Sequence, residues 1–129
     1  MAASTAPPIK RIYEPVADSD GKRILVDRLW PRGVTKHDAH LDEWLKDVAP
    51  SPDLRRWFNH DVAHWAEFQR RYRAELEAGS PALEQLLELA AQPPVTLVYA
   101  AHDETHNHAR VLAAFVGEAL KERTRHSHG

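Results

Sequence analysis

Two polar loops contain most of the side chains in this sequence that are suited to chemistry. The first loop contains Arg28 and Arg32, and the second contains Asp103, His106 and His108. Guanidinium groups bind carboxylate and phosphate through paired N–H donors, and histidine exchanges protons near neutral pH. The residue types therefore predict a site for a small anionic ligand. In such a site the arginines would hold the anion, and the other three residues would orient it or transfer protons.

Both loops are expected where strands end. Residues 23–29 and 95–101 are largely apolar on both faces, which is typical of central strands, and residues 9–13 alternate as a short edge strand does. Helical patterns separate these strands, so the sequence predicts a single α/β domain with a small, mostly parallel sheet. Ligands bind such sheets at the carboxyl ends of adjacent strands, and we expect the two loops to meet there.

The helices are predicted from caps and apolar spacing. Apolar residues at i, i+3, i+4 and i+7 favour a helix between Thr35 and Pro50. These residues are Leu41, Trp44, Leu45 and Val48. Ser51, Asp61 and Ser80 are suited to cap three further helices.

Composition limits the classes of protein that this chain can represent. The 129 residues suggest one domain, expected at 9–122, with a disordered tail at 1–8 and a flexible tail at 123–129. A net charge of -2 makes nucleic-acid binding an unfavoured function, and no apolar run long enough to span a membrane is present. The absence of cysteine excludes disulfides and thiolate metal sites and fits a cytoplasmic protein. No cofactor is evident, and no protein partner is predicted.

Three further residues are candidates for the same site. Trp30 follows the second predicted strand and is expected to form a wall of the pocket, and Lys46 would add positive charge. His60 is a candidate proton-transfer residue, together with Asp103 and His106. Its neighbour Asp61 is better suited to capping a helix than to orienting it.

A structural role for Arg28 is an alternative to ligand binding. An internal ion pair with Asp27 or Asp103 would fix the loop and make the protein a non-catalytic interaction or regulatory module. Asp27 is the poorer partner because consecutive residues of a strand point to opposite faces.

A divalent metal is a weaker alternative. In an extended segment His106 and His108 would face the same side and, with Asp103 and His60, form the metal site of a hydrolase. A helix capped by Asp103 or Thr105 would instead turn the two imidazoles apart, which disfavours this site. Such a helix would also offer backbone N–H groups of residues 104–106 to an anion.

Four stretches of the chain resemble a known family, the YeaO-like branch of the domain-of-unknown-function 488 family. The stretches are residues 26–33, 44–51, 54–61 and 97–109. The resemblance implies a small bacterial α/β protein whose biochemical role is not established. Wider members have cysteines where this chain has Tyr99 and Asn107, so any thiol chemistry of that family does not extend to this chain.

Overall fold

The computed structural model describes residues 6–127, with side chains described as far as residue 123. The expected tails therefore lie partly beyond it: residues 1–5 and 128–129 are outside the described residues. No helix within the described range is long and apolar enough to cross a membrane.

In the described part of the chain four parallel strands form one sheet, which confirms the predicted small parallel α/β architecture. They are β1 (Ile9–Arg11), β2 (Lys22–Leu25), β3 (Glu43–Trp44) and β4 (Val95–Tyr99), in the spatial order β1-β4-β2-β3. The strands β2 and β4 are adjacent as expected, with Ile24 opposite Leu97. Both end earlier than predicted, so Asp27, Arg28 and Ala100 already belong to the loops.

Within residues 6–127, five α-helices pack around the sheet. They are α1 (Lys36–Ala39), α2 (Pro52–Phe58), α3 (Trp65–Ala78), α4 (Pro81–Ala90) and α5 (His108–Ser127). The predicted caps of α2 and α4 are confirmed, because Ser51 Oγ accepts from Leu54 N and Ser80 Oγ accepts from Leu83 N. Asp61 caps a 3₁₀ turn at Val62–His64 that leads into α3.

The predicted helix between Thr35 and Pro50 is wrong over most of its length. Thr35 does cap α1, but that helix stops at Ala39, and β3 and a 3₁₀ turn follow. Asp42 N donates to Arg23 O, and Leu45 N donates to Leu25 O. This segment therefore supplies hydrogen-bond donors to backbone carbonyl groups on the open edge of β2. Hydrogen bonding to an existing strand overrides the helical spacing of the apolar residues.

The two faces of the sheet are covered unequally. Ile24, Leu97 and Tyr99 point into the main core beneath α3, α4 and α5, whereas Leu25 and Val98 point into a smaller cluster. Alternate residues of a strand face opposite sides, so each apolar strand supplies both layers. This explains why both strands are apolar throughout.

A buried ion pair holds the amino end of β2, a feature that the sequence analysis missed. Arg23 Nη1 lies 2.7 Å from Asp20 Oδ2, and the same guanidinium donates to the carbonyl groups of Ala39 and His40. Lys10 adds a second cation to Asp20. Burial opposes ionisation of Asp20, but hydrogen bonds from Lys10, Ala17 N and Arg23 lower the pKa of its carboxyl group overall.

Candidate functional site

A cleft of about 540 Å³ opens at the carboxyl ends of β2 and β4. Its walls come from the loop after β2, from α2 and the residues next to it, and from the loop between β4 and α5. The two polar loops therefore meet, as predicted. The volume is in the range of small-molecule sites, roughly 300–1,000 Å³.

Asp27 and His108 form a largely buried pair at the cleft. Asp27 Oδ2 accepts a hydrogen bond from Ala100 N at 3.0 Å, and Oδ1 lies 3.3 Å from His108 Nε2. His108 Nε2 is also 3.0 Å from the Val26 carbonyl, which can only accept, so Nε2 carries the proton. The alternation of side chains along a strand identifies Asp27 only as a poor partner for Arg28. Its position beyond the end of β2 is what turns it toward His108.

Burial determines the protonation of this pair. It raises the pKa of Asp27, while the charge of His108 acts in the opposite direction. It also lowers the pKa of His108, against the attraction of Asp27. A neutral imidazole beside the Val26 carbonyl is therefore the form that the fold favours near neutral pH.

His106 belongs to a second, more exposed pair with Asp103. Asp103 Oδ2 lies 2.9 Å from His106 Nδ1, and Asp103 Oδ1 accepts from the backbone N–H groups of His106 and Thr105. These backbone hydrogen bonds, with that of the His106 ring, lower the pKa of Asp103 to about 2. The ionised carboxylate fixes the proton on Nδ1, so Nε2 is the ring atom left for a ligand. The His106 ring also meets Trp65 edge-on at 5.4 Å.

The start of α5 differs from the prediction. Neither Asp103 nor Thr105 caps it: the helix begins at His108, and Asn107 Oδ1 accepts from Arg110 N. Asp103 Oδ1 accepts hydrogen bonds from the N–H groups of Thr105 and His106, which were predicted to be available to an anion.

Arg28 lines the cleft, but its donors are largely engaged. Nη2 donates to the Ala49 and Pro50 carbonyls at 3.2 and 3.3 Å, and Nη1 lies 3.5 Å from Asp47. The internal pairing considered as an alternative therefore exists, with Asp47 rather than Asp27 or Asp103 as the partner. Arg28 fixes the segment that precedes α2.

A polar stripe of α2 faces the cleft, and the sequence analysis missed it. Pro52, Arg55, Arg56 and Asn59 line the cleft at i, i+3, i+4 and i+7. The helical spacing that identifies the buried face of α2 also places these four residues together on another face, and this signal could have identified them. Arg56 pairs with Asp53, whereas the guanidinium of Arg55 forms no hydrogen bond or salt bridge with any residue that the structure describes. The positive charge of Arg55 does act on Asp27, where it lowers the pKa of the carboxyl group against the larger effect of burial.

Three predicted ligand-binding residues lie away from the cleft. Arg32 is exposed, and Trp30 donates to the Val34 carbonyl and packs in the smaller core cluster. Lys46 lies over the ring of Trp44, with Nζ 5.4 Å from its centroid. None of the three is among the residues that line the cleft. The chain turns away after Leu29, so the first loop contributes Arg28 but not its second arginine.

His60 lies at the rim of the cleft without joining a metal site. It follows α2 in a left-handed conformation with φ 55°, and its side chain is exposed. His106 and His108 are engaged with Asp103 and Asp27, respectively. Among the described residues no three histidine or carboxylate side chains form a group that could hold a metal ion. The weak metal alternative of His60, His106 and His108 therefore lacks the required geometry.

The fold defines a small parallel α/β protein with a cleft at the carboxyl edge of its sheet. A family model described as "Inactive DUF488-N3 subclade" matches residues 8–129. The chain belongs to this family, which confirms the resemblance to the YeaO-like branch.

Curated relatives cover most of the chain. It is 49% identical over 104 residues to the uncharacterized protein YeaO of Escherichia coli K12, an overlap of 81% of this chain and 90% of that relative. It is 42% identical over 113 residues to the uncharacterized protein Mb3100c of Mycobacterium bovis, covering 88% and 95%. No solved structure matches this chain significantly.

Proposed function

We propose that this protein binds a small anionic ligand in the cleft between α2 and the loop before α5. The observation that carries the proposal is Arg55, whose guanidinium lines the cleft and forms no hydrogen bond or salt bridge with the described residues. An arginine retains its charge at any physiological pH, and its donors favour a carboxylate or phosphate. A bound anion would give this guanidinium a hydrogen-bonded partner.

The other charges of the cleft support the same proposal. Arg28 and Arg56 add positive charge, and His60, His102 and His106 add imidazoles. Asp27 is the sole carboxylate among the described side chains that line the cleft, and its side chain is only 17% exposed. Its oxygens face Ala100 N and His108, and the charge of Arg55 acts on it by lowering its pKa against the larger effect of burial.

Binding without catalysis fits the family better than an enzymatic role. The family model that matches this chain is described as an inactive subclade. In our proposal His60 and His106 contact the ligand, and Asp103 positions His106 through its Nδ1. His108 pairs with Asp27 and thereby helps to fix the shape of the cleft, and it does not contact the ligand.

Thermal unfolding in different anions tests the proposal. Melting temperatures would be measured in chloride, sulfate and phosphate at constant ionic strength, because screening alone shifts stability. An anion present at about 100 times its dissociation constant adds roughly 2.7 kcal/mol to the free energy of unfolding. For a chain of this size that corresponds to a rise of several degrees in phosphate or sulfate.

Two arginine variants separate a site from a general charge effect. Arg55→Ala should abolish the anion-specific rise, whereas Arg32→Ala should retain it. Both side chains are exposed and form no ion pair with the described residues, but only Arg55 lines the cleft. No anion-specific rise in the wild type, or equal losses in both variants, would refute the anion site.

A non-catalytic interaction module without a small ligand is the second candidate. Its support is Arg28, whose guanidinium is engaged by Asp47, Ala49 and Pro50. This candidate expects no anion-specific rise in the wild type, whereas Arg28→Ala should lose stability under either candidate. The same thermal series therefore decides between the two.

A further inference from the structure

The cleft is larger than an inorganic anion requires. At about 540 Å³ it matches pockets that enclose small organic molecules, so a bare phosphate on Arg55 would leave most of it unfilled. An organic body attached to the anion would occupy the remaining space. The chemistry of that body can be inferred from the groups around Arg55.

Asn59 is placed beside Arg55 with an unused carboxamide. The two residues are four apart on one face of α2, and Asn59 N donates to Arg55 O at 3.0 Å. The side chain of Asn59 lines the cleft and makes no hydrogen bond with the described residues. A carboxamide offers one acceptor and two donors in a plane, the arrangement that pairs with the edge of a nucleobase.

The opposite wall is suited to a flat ring. It carries the imidazoles of His102 and His106 together with the small side chains of Ala100 and Ala101. The His106 ring is held by Asp103 and by Trp65, so it offers a fixed surface. Small residues at the end of β4 leave room for a planar heterocycle between this wall and α2.

We infer that the ligand is a nucleoside monophosphate. Its phosphate binds Arg55, and the edge of its base binds the carboxamide of Asn59, one helical turn away. This inference rests on the proposed anion site and adds the class of the organic part. It also assigns Asn59 the role of a specificity-determining residue.

Isothermal titration calorimetry with a graded set of compounds tests the inference. The set contains inorganic phosphate, ribose 5-phosphate and the four common ribonucleoside 5′-monophosphates. At least one nucleotide should bind about tenfold more tightly than ribose 5-phosphate, the gain expected from one bidentate contact to a base.

Asn59→Gly is the matched variant. Asn59 has φ 43°, a left-handed conformation that glycine adopts without strain, so the backbone is retained when the carboxamide is removed. This variant should lose the nucleotide's advantage while binding ribose 5-phosphate as the wild type does. Arg55→Ala should weaken the binding of every phosphate compound in the set.

The possible results distinguish this inference from the proposed function. If phosphate compounds bind but no nucleotide exceeds ribose 5-phosphate, the anion site stands and the nucleotide is rejected. The same holds if Asn59→Gly keeps the full advantage of the nucleotide. If no compound in the set binds, both the anion site and the nucleotide are rejected.

Discussion

The imidazole of His108 lies between the Val26 carbonyl and the Asp27 carboxylate, with Nε2 3.3 Å from Asp27 Oδ1. His108 is the first residue of α5, and Asp27 follows β2 by two residues. The pair therefore ties the longest helix to the central strand at the base of the cleft. Asp27 also holds the adjacent end of β4 through Ala100 N.

The stability of the fold should depend on the protonation of His108. Burial lowers the pKa of its imidazole below the ordinary value of 6.5, so near that pH the unfolded chain binds the proton more readily. The stabilising contribution is present above pH 6.5 and is lost as pH falls toward the folded-state pKa. Chemical denaturation across pH 6.5 should show this loss in the wild type and a smaller one in His108→Gln.

The opposite pH dependence of Asp27 and a control variant at an exposed histidine allow the effect to be assigned to His108. The raised pKa of Asp27 has the opposite effect: its contribution is fully present below the ordinary value of 3.8 and is lost as pH rises through the folded-state pKa. The exposed His37 supplies the control, because His37→Gln should leave the dependence on pH unchanged. An identical pH profile for His108→Gln and the wild type would contradict the prediction.

Substitutions of Asp27 should separate its hydrogen bond from its charge. Asp27→Ala leaves the Ala100 N–H without its acceptor and should lower the free energy of unfolding by about 2 kcal/mol. Asp27→Asn keeps an acceptor oxygen and should lose less than half of that. Urea denaturation measures both values, and equal losses would show that the charge rather than the hydrogen bond stabilises the loop.

Arg28 should be required for stability, unlike Arg32. Arg28→Ala removes the donors to the Ala49 and Pro50 carbonyls and should cost about 2 kcal/mol, measured by urea denaturation. Arg28→Lys should recover only part of this loss, because an ammonium group cannot reproduce the fork of a guanidinium. Arg32→Ala should change stability by less than about 0.5 kcal/mol. Comparable losses in the two alanine variants would contradict the assignment.

The buried Arg23 should be among the most sensitive charged positions of the chain. Its side chain is 3% exposed, and Arg23→Met would leave the Asp20 carboxylate buried with Lys10 as its remaining charged partner. Removing one member of a buried ion pair costs about 3 kcal/mol or more. The neighbouring Lys22 is exposed, and Lys22→Met is the control that should unfold like the wild type. A thermal melt of Arg23→Met within a degree of the wild type would refute this role.

The layout of the cleft was only partly predictable. The meeting of the two loops follows from parallel adjacent strands, and that expectation is confirmed by Arg28, His106 and His108. Arg32 was grouped with Arg28 by its nearness in sequence, yet the loop turns it away from the cleft. Arg55 was not predicted to belong to the site, because the sequence does not show which element lies opposite that face of α2.

The central strands, their parallel pairing as neighbours and the caps of the middle helices could be predicted from the sequence. These depend on local information: apolar runs that exclude water on both faces, and hydroxyl groups placed to accept from a first helical turn. The tertiary structure alone decided that residues 43–44 extend the sheet, that Asn107 caps α5 and that Asp27 meets His108. Each of these outcomes depends on a partner distant in the chain, since open strand edges and buried carboxylates select their hydrogen bonds from the residues that folding brings near.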